Sequence, residues 1–140
     1  MIRLAIFILF SVLLLVFTLR RTHEHRFPRF FAFVSFIGLV LLNVDSWFRD
    51  PLSPVQLVSW ILLASSLVLV VHGFWLLQVA GSPKGDIEET TRLVTMGAYR
   101  YIRHPIYCSL LPGGAGVLLK DPSPVAVALF LASFVFIVAT

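Results

Sequence analysis

The sequence predicts an all-α integral membrane protein: one domain over residues 1–140, built as a bundle of about five transmembrane helices. Composition is the first reason, because 59% of the residues are hydrophobic and only 13% are charged, whereas soluble domains average about 25% charged residues. The second reason is that the apolar residues form long runs without charges. The third is that the basic residues cluster between these runs, as they do in membrane proteins.

Five apolar runs define the predicted spans, since a helix needs about 20 apolar residues to cross the hydrocarbon core. The first run lacks a signal-peptide cleavage site and is predicted to be a retained helix. The fourth is interrupted by Pro112, Gly113 and Gly114, which favour close approach of a neighbouring helix, with a helix break as the alternative. The predicted spans are residues 4–19, 30–48, 55–80, 104–120 and 124–140.

The distribution of basic residues predicts the orientation. Of the 11 Lys and Arg residues, only Arg3, Arg49 and Lys120 lie on one side of the predicted membrane. The remaining residues lie in segments 20–29 and 81–104: Arg20, Arg21, Arg26, Arg29, Lys84, Arg92, Arg100 and Arg103. The positive-inside rule therefore places both segments in the cytoplasm and the N-terminus outside. This placement between spans also argues against nucleic acid as a partner, despite a net charge of +4.

Segment 81–105 is the only long polar stretch, and long connections in compact bundles are usually functional or disordered. It leads into the motif TRLVTMGAYRYIRHPIY at residues 91–107. This motif resembles the signature of the isoprenylcysteine carboxyl methyltransferase and phospholipid methyltransferase group, L-V-T-x-G-x-Y-R-x-x-R-H-P-x-Y, at every fixed position. The resemblance covers roughly residues 55–140. It implies a multi-span enzyme that uses S-adenosylmethionine to methylate a membrane-embedded or amphiphilic acceptor and is isoprenylcysteine carboxyl O-methyltransferase-like.

The resemblance also implies the site residues. The cofactor would contact Thr91, Arg92, Leu93, Val94, Tyr99, His104, Pro105, Ile106 and Tyr107. Arg103 and His104 are the catalytic candidates. These residue types suit the cofactor, because its carboxylate and hydroxyl groups need polar or cationic partners while its adenine needs an aromatic or apolar surface. Pro105 suits the first turn of a helix, whose N–H groups and dipole favour a carboxylate.

Two ionisable residues lie within the predicted spans. His72 is in the middle of the third span, where an ionisable group is a functional candidate facing the cofactor or acceptor. The alternative is a neutral imidazole hydrogen-bonded to Ser65, Ser66 or a backbone carbonyl. Asp45, near the end of the second span, is predicted to lie at the membrane interface.

No metal site is predicted. His23 and His25 have a spacing that could suit a metal, but no further ligand is near in sequence, so a solvated loop is favoured. Cys108 adjoins the motif without a neighbouring base and is predicted to be a packed thiol.

Members of the group carry a second half of the site after the last helix, with paired glutamates and an arginine. No Glu follows Glu89 here, and the last run spans only about 24 Å as a helix, short of a ~30 Å hydrocarbon core. We therefore expect a C-terminally truncated chain.

Several functional alternatives stay open. The acceptor is a prenylcysteine carboxylate, a phospholipid amine or a small thiol, reached from the lipid bilayer. An NADPH-dependent membrane reductase of the sterol type is a second hypothesis. Such reductases tend to read R-H-P-N-Y and then Gly-Glu, whereas this chain has Ile106, Cys108 and Ser109. A non-catalytic membrane protein or fragment of the same fold is the third.

Overall fold

The computed structural model describes residues 1–20, 26–81 and 94–139, and the described chain is helical, as predicted. The α-helices are Ile2–Leu19 (α1), Arg26–Asn43 (α2), Pro54–Val79 (α3), Pro105–Cys108 (α4), Leu110–Leu118 (α5) and Pro124–Val138 (α6). Two 3₁₀ turns cover Val44–Ser46 and Gly97–Arg100. By length and composition, three helices within the described residues could cross a membrane, namely α1, α2 and α3. Pro105–Leu118 and α6 are shorter apolar helices, so the chain has the character of a multi-pass membrane protein.

The second and fourth predicted spans differ from the observed helices. The second helix begins at Arg26 rather than at residue 30, because Pro28 is tolerated in a first turn, where its missing N–H would have no helical partner. The fourth span is divided at Ser109 into α4 and α5. Pro112 explains this division, since it cannot donate a hydrogen bond to the carbonyl of Cys108, four residues earlier.

Two helices begin with the same local signal. The hydroxyl of Ser53 accepts a hydrogen bond from the N–H of Gln56 at 3.4 Å, and Pro54 follows as the first residue of α3. Ser123 does the same for α6, accepting from the N–H of Ala126 at 3.2 Å. A serine cap followed by proline satisfies an otherwise unpaired N–H and presets the backbone for a helix. Both starts lie near their predicted positions.

Helix α5 lies at the centre of the bundle, in contact with α2, α3 and α6. Its glycines make this possible. A Cβ atom added at Gly114 would lie 2.9 Å from a ring carbon of Phe130 in α6, and one at Gly116 would lie 2.9 Å from the Cγ of Leu63 in α3. The prediction of close helix approach is therefore confirmed, and the helix break lies upstream, at Ser109.

Buried polar side chains tie the neighbouring helices to α5. The amide of Asn43 in α2 donates to the carbonyl of Val117 at 3.0 Å, and the hydroxyl of Ser59 in α3 donates to that of Gly116 at 2.7 Å. Leu39 is fully buried in the same region. Lipid offers no hydrogen-bond partner, so polar groups in a membrane bundle must be satisfied by the protein.

The end of the bundle away from the motif is joined by polar contacts, and we call it the Asp45 end. Arg3 at the start of α1 forms an exposed ion pair with Asp45 after α2. The hydroxyl of Ser46 donates to a carboxylate oxygen of Asp121, between α5 and α6, at 3.2 Å. Asp45 is exposed at the end of its helix, where the sequence places it. The motif lies at the other end, which we call the motif end.

Candidate functional site

The motif folds against the last turns of α3. Val94 is buried and forms a small apolar cluster with Leu76 and Leu77. Tyr99 and Ile106 pack against the same cluster from further along the motif. Three of the predicted cofactor residues are therefore brought to one patch of α3, although they are separated along the chain.

Gly97 makes the turn between these residues possible. Its φ of +58° lies in the left-handed region, which favours glycine. A Cβ atom here would lie 2.6 Å from the Nε2 of His72 and 2.7 Å from the Cδ1 of Leu76. The glycine of the motif is thus required both by backbone conformation and by its distance from α3.

His72 lies directly at this turn. Its ring stacks on that of Trp75, with centroids 6.3 Å apart, and its Nε2 faces Gly97. The hydroxyl groups of Ser65 and Ser66 donate to backbone carbonyls. The structure brings His72 next to Gly97 of the motif, and its role at a cofactor or acceptor site stays a prediction.

Helix α4 approaches α3 at a second glycine. A Cβ atom at Gly73 would lie 3.1 Å from the Cγ1 of Ile106 and 3.5 Å from the Cγ of Pro105. Pro105 is buried and begins α4 after His104, as predicted. The helix is interrupted at Ser109, but the N–H of Ser109 still donates to the carbonyl of Pro105 at 3.0 Å, and the apolar helical run continues to Leu118.

Tyr107 is the motif residue that faces α2. The guanidinium carbon of Arg29 lies 4.9 Å from the centroid of the Tyr107 ring. Phe33 meets the same ring edge to face at a centroid distance of 6.2 Å. The ring of His104 lies 6.1 Å away on the motif itself. Neither Arg29 nor Phe33 is among the predicted site residues, and no local signal predicts their contact with a residue so distant along the chain.

The catalytic candidates are exposed. Arg103 and His104 both have exposed side chains at the motif end. Arg100 is exposed as well, with its guanidinium carbon 5.7 Å from the centroid of Tyr101. Thr91, Arg92 and Leu93, three predicted cofactor residues, lie outside the described residues.

The other candidate residues lie as follows. The Cys108 thiol is half-buried after Tyr107 and is not in a disulfide. Within residues 1–20, 26–81 and 94–139, no group of three His, Cys, Asp or Glu side chains could hold a metal ion. His23 and His25 lie outside these ranges.

The fold and the motif together define a class of protein, a helical membrane protein with its functional motif at one end of the bundle. The sequence model of the phospholipid methyltransferase family matches residues 55–140, from the first turn of α3 onward. The chain therefore belongs to this family, which confirms the resemblance and its extent. Family membership makes it an S-adenosylmethionine-dependent methyltransferase with a lipid-type acceptor. No curated protein and no solved structure matches the chain.

Proposed function

We propose that this chain methylates the carboxylate of an amphiphilic acceptor that enters from the bilayer, as isoprenylcysteine carboxyl O-methyltransferases do. One observation carries the proposal. The motif is held against α3 and α2, with its aromatic, apolar and cationic side chains at one end of the bundle. A water-soluble cofactor can reach that end, while the lipid-facing helices beside it admit an amphiphile.

The residues at the motif end suit S-adenosylmethionine, which supplies an electrophilic methyl group on a sulfonium when bound. The rings of Tyr99 and Tyr107 offer aromatic surface for an adenine. Val94 and Ile106 provide the apolar packing behind Tyr99. The exposed imidazole of His104 provides polar nitrogens for the carboxylate or the ribose.

Charge favours a carboxylate as the acceptor group. Four exposed or half-buried cations of the described residues lie at the motif end: Arg20, Arg29, Arg100 and Arg103. The acidic residues that the structure describes all lie near the other end: Asp45, Asp50 and Asp121. A cationic site attracts a carboxylate, which is nucleophilic without losing a proton, whereas an ammonium group must first be deprotonated. Orientation and exclusion of water then account for the rate.

We further propose that the motif end is cytoplasmic and the Asp45 end extracytoplasmic. The basic residues support this orientation, since most of them lie in or beside the segments at the motif end. A cytoplasmic site would also face the aqueous compartment from which the cofactor arrives.

Binding of S-adenosylhomocysteine to the detergent-purified chain tests the cofactor site. We expect His104→Ala to weaken binding by about tenfold, the effect of losing one hydrogen bond to a charged group. Arg49→Ala is the matched control, because Arg49 is exposed at the Asp45 end. Equal affinity in all three proteins would refute the role of His104. No binding by the parent chain would refute cofactor binding by these 140 residues on their own.

The chemistry of the product tests the acceptor. After incubation with methyl-labelled cofactor, a methyl ester releases its label as methanol in mild base, whereas an N-methyl or S-methyl product keeps it. We expect base-labile label on a farnesylcysteine acceptor and none on phosphatidylethanolamine. Base-stable label on the phospholipid would show that the acceptor is an amine.

A further inference from the structure

The contact between Arg29 and Tyr107 joins a family motif to a helix outside the family match. Tyr107 is the last residue of the motif, whereas Arg29 lies in α2, before the matched residues 55–140. The cation that lies over the motif tyrosine is therefore a feature of this chain's own first half.

The geometry holds Arg29 in place at the site. Arg29 and Phe33 are four residues apart in α2, so both lie on the helix face that meets Tyr107. The guanidinium lies over the face of the tyrosine ring, 4.9 Å from its centroid, while Phe33 approaches at 6.2 Å. The five N–H donors of a guanidinium lie in its plane, at its edges. Anionic groups bind a guanidinium at these edges, away from the face of the ring below it.

The helix face below Arg29 is apolar and aromatic. The same face of α2 continues in Phe33 and Phe36, both of them half-buried. A Cβ atom at Gly113 would lie 3.4 Å from the Phe36 ring, so this face leads from the motif end towards the centre of the bundle. A cation above an aromatic strip matches a molecule with an anionic head and an apolar tail.

We infer that Arg29 is an acceptor-binding residue that sets specificity, with its guanidinium bound to the anionic group of the amphiphile and Phe33 beside the apolar tail. The inference rests on the proposed function and names the residue that recognises the acceptor. A planar guanidinium suits a carboxylate or a phosphodiester, because it can donate two parallel hydrogen bonds to either group. Tyr107 positions the guanidinium between the acceptor and the cofactor residues of the motif.

The test compares two farnesyl thioethers that differ only in their end group, one with a carboxylate and one with the neutral carboxamide. Their affinities are measured on the purified full chain and on its Arg29→Ala, Arg29→Lys and Arg49→Ala variants. We expect Arg29→Ala to lower the affinity for the carboxylate probe by about tenfold or more. The carboxamide probe and S-adenosylhomocysteine should bind unchanged. Arg29→Lys keeps the charge but not the two parallel N–H donors, so its affinity for the carboxylate probe should lie between those of the parent and Arg29→Ala. Arg49→Ala should match the parent.

Other outcomes overturn the inference. If Arg29→Ala weakens the binding of both probes equally, Arg29 only packs against the acceptor. If it weakens the binding of S-adenosylhomocysteine as well, Arg29 serves cofactor binding or the stability of the fold instead. Unchanged binding of the carboxylate probe and of dioleoyl phosphatidylethanolamine would remove Arg29 from the acceptor site. If Arg29→Ala weakens the binding of the phospholipid only, Arg29 still binds the anionic group of the acceptor, but that group is a phosphodiester. The carboxylate acceptor proposed above is then wrong.

Discussion

At the scale of single residues, Gly97 shows why one position of the motif requires glycine. The match to the family motif identified this glycine, but only the structure shows its two reasons. Its φ is +58°, and the space that a side chain would fill is taken by His72 and Leu76. Neither reason could be derived from the local sequence, because both partners lie on a helix more than twenty residues earlier.

We expect Gly97→Ala to destabilise the protein by about 1–3 kcal/mol and to reduce cofactor binding, because the turn that orients Tyr99 must shift. The measurements are thermal unfolding in detergent and S-adenosylhomocysteine affinity. Gly38→Ala is the matched control, since an added Cβ atom there meets Phe7 and Leu129 at ordinary contact distances of 3.4 and 3.6 Å. Equal behaviour of the two variants would contradict the steric explanation.

Lys120 is the most unusual charged residue of the Asp45 end. It is only 5% exposed, and its Nζ lies 3.5 Å from the centroid of the Trp60 ring. No hydrogen-bond partner for this nitrogen lies within the described chain. Burial therefore lowers the pKa of Lys120 from its ordinary value of 10.5.

This pKa shift predicts a pH dependence of stability. Between the lowered pKa of the folded state and 10.5, the unfolded chain binds more protons than the folded chain. The free energy of unfolding therefore rises with pH across that interval. We expect a higher melting temperature in detergent as the pH is raised towards 10.5, and a smaller rise in Lys120→Met. A rise of the same size in the variant would assign the effect to other groups.

At the scale of elements, α5 organises the bundle although it has only nine residues. Its glycines admit α3 and α6 at close range, and Ser59 and Asn43 bind two of its carbonyls. The sequence predicted the close approach from the glycines alone. The helix break, which the sequence offered as the alternative, lies at Ser109, because Pro112 cannot donate a hydrogen bond to the carbonyl of Cys108.

We expect Gly116→Ala to destabilise the protein by about 1–3 kcal/mol, because the added Cβ atom would lie 3.0 Å from the Ser59 carbonyl oxygen, which is backbone and cannot turn aside. Thermal unfolding measures the effect. Ala64→Val, at an exposed position of α3, adds volume without such a neighbour and should leave the melting temperature nearly unchanged. A Gly116→Ala variant as stable as the parent would show that α3 and α5 can separate without cost.

At the scale of the whole molecule, the two ends of the bundle carry different chemistry. One end holds the Arg3–Asp45 pair and the other holds the motif with its arginines. The alternation of charge along the sequence predicted which loops share an end, and the helix directions and contacts agree. The proposed orientation of the bundle in the membrane depends on the positive-inside rule alone.

Cysteine labelling tests that direction. In a Cys108→Ser background, Arg49→Cys should react with an impermeant maleimide applied to the extracytoplasmic side of the sealed membrane, because it lies at the Asp45 end. Arg100→Cys, at the motif end, should react only after the membrane is permeabilised. The reverse pattern would invert the orientation and place the site on the extracytoplasmic side.

The sequence by itself determined the helical membrane class, most of the helix positions, the family and the motif, because these depend on composition, on apolar run length and on residues adjacent in the chain. Only the tertiary structure decided that Gly97 lies on His72, that Arg29 lies over Tyr107 and that Lys120 lies against Trp60. Each of these contacts joins residues on different elements. Their physical basis is the way in which the helices pack, and neither apolar periodicity nor local spacing encodes that packing.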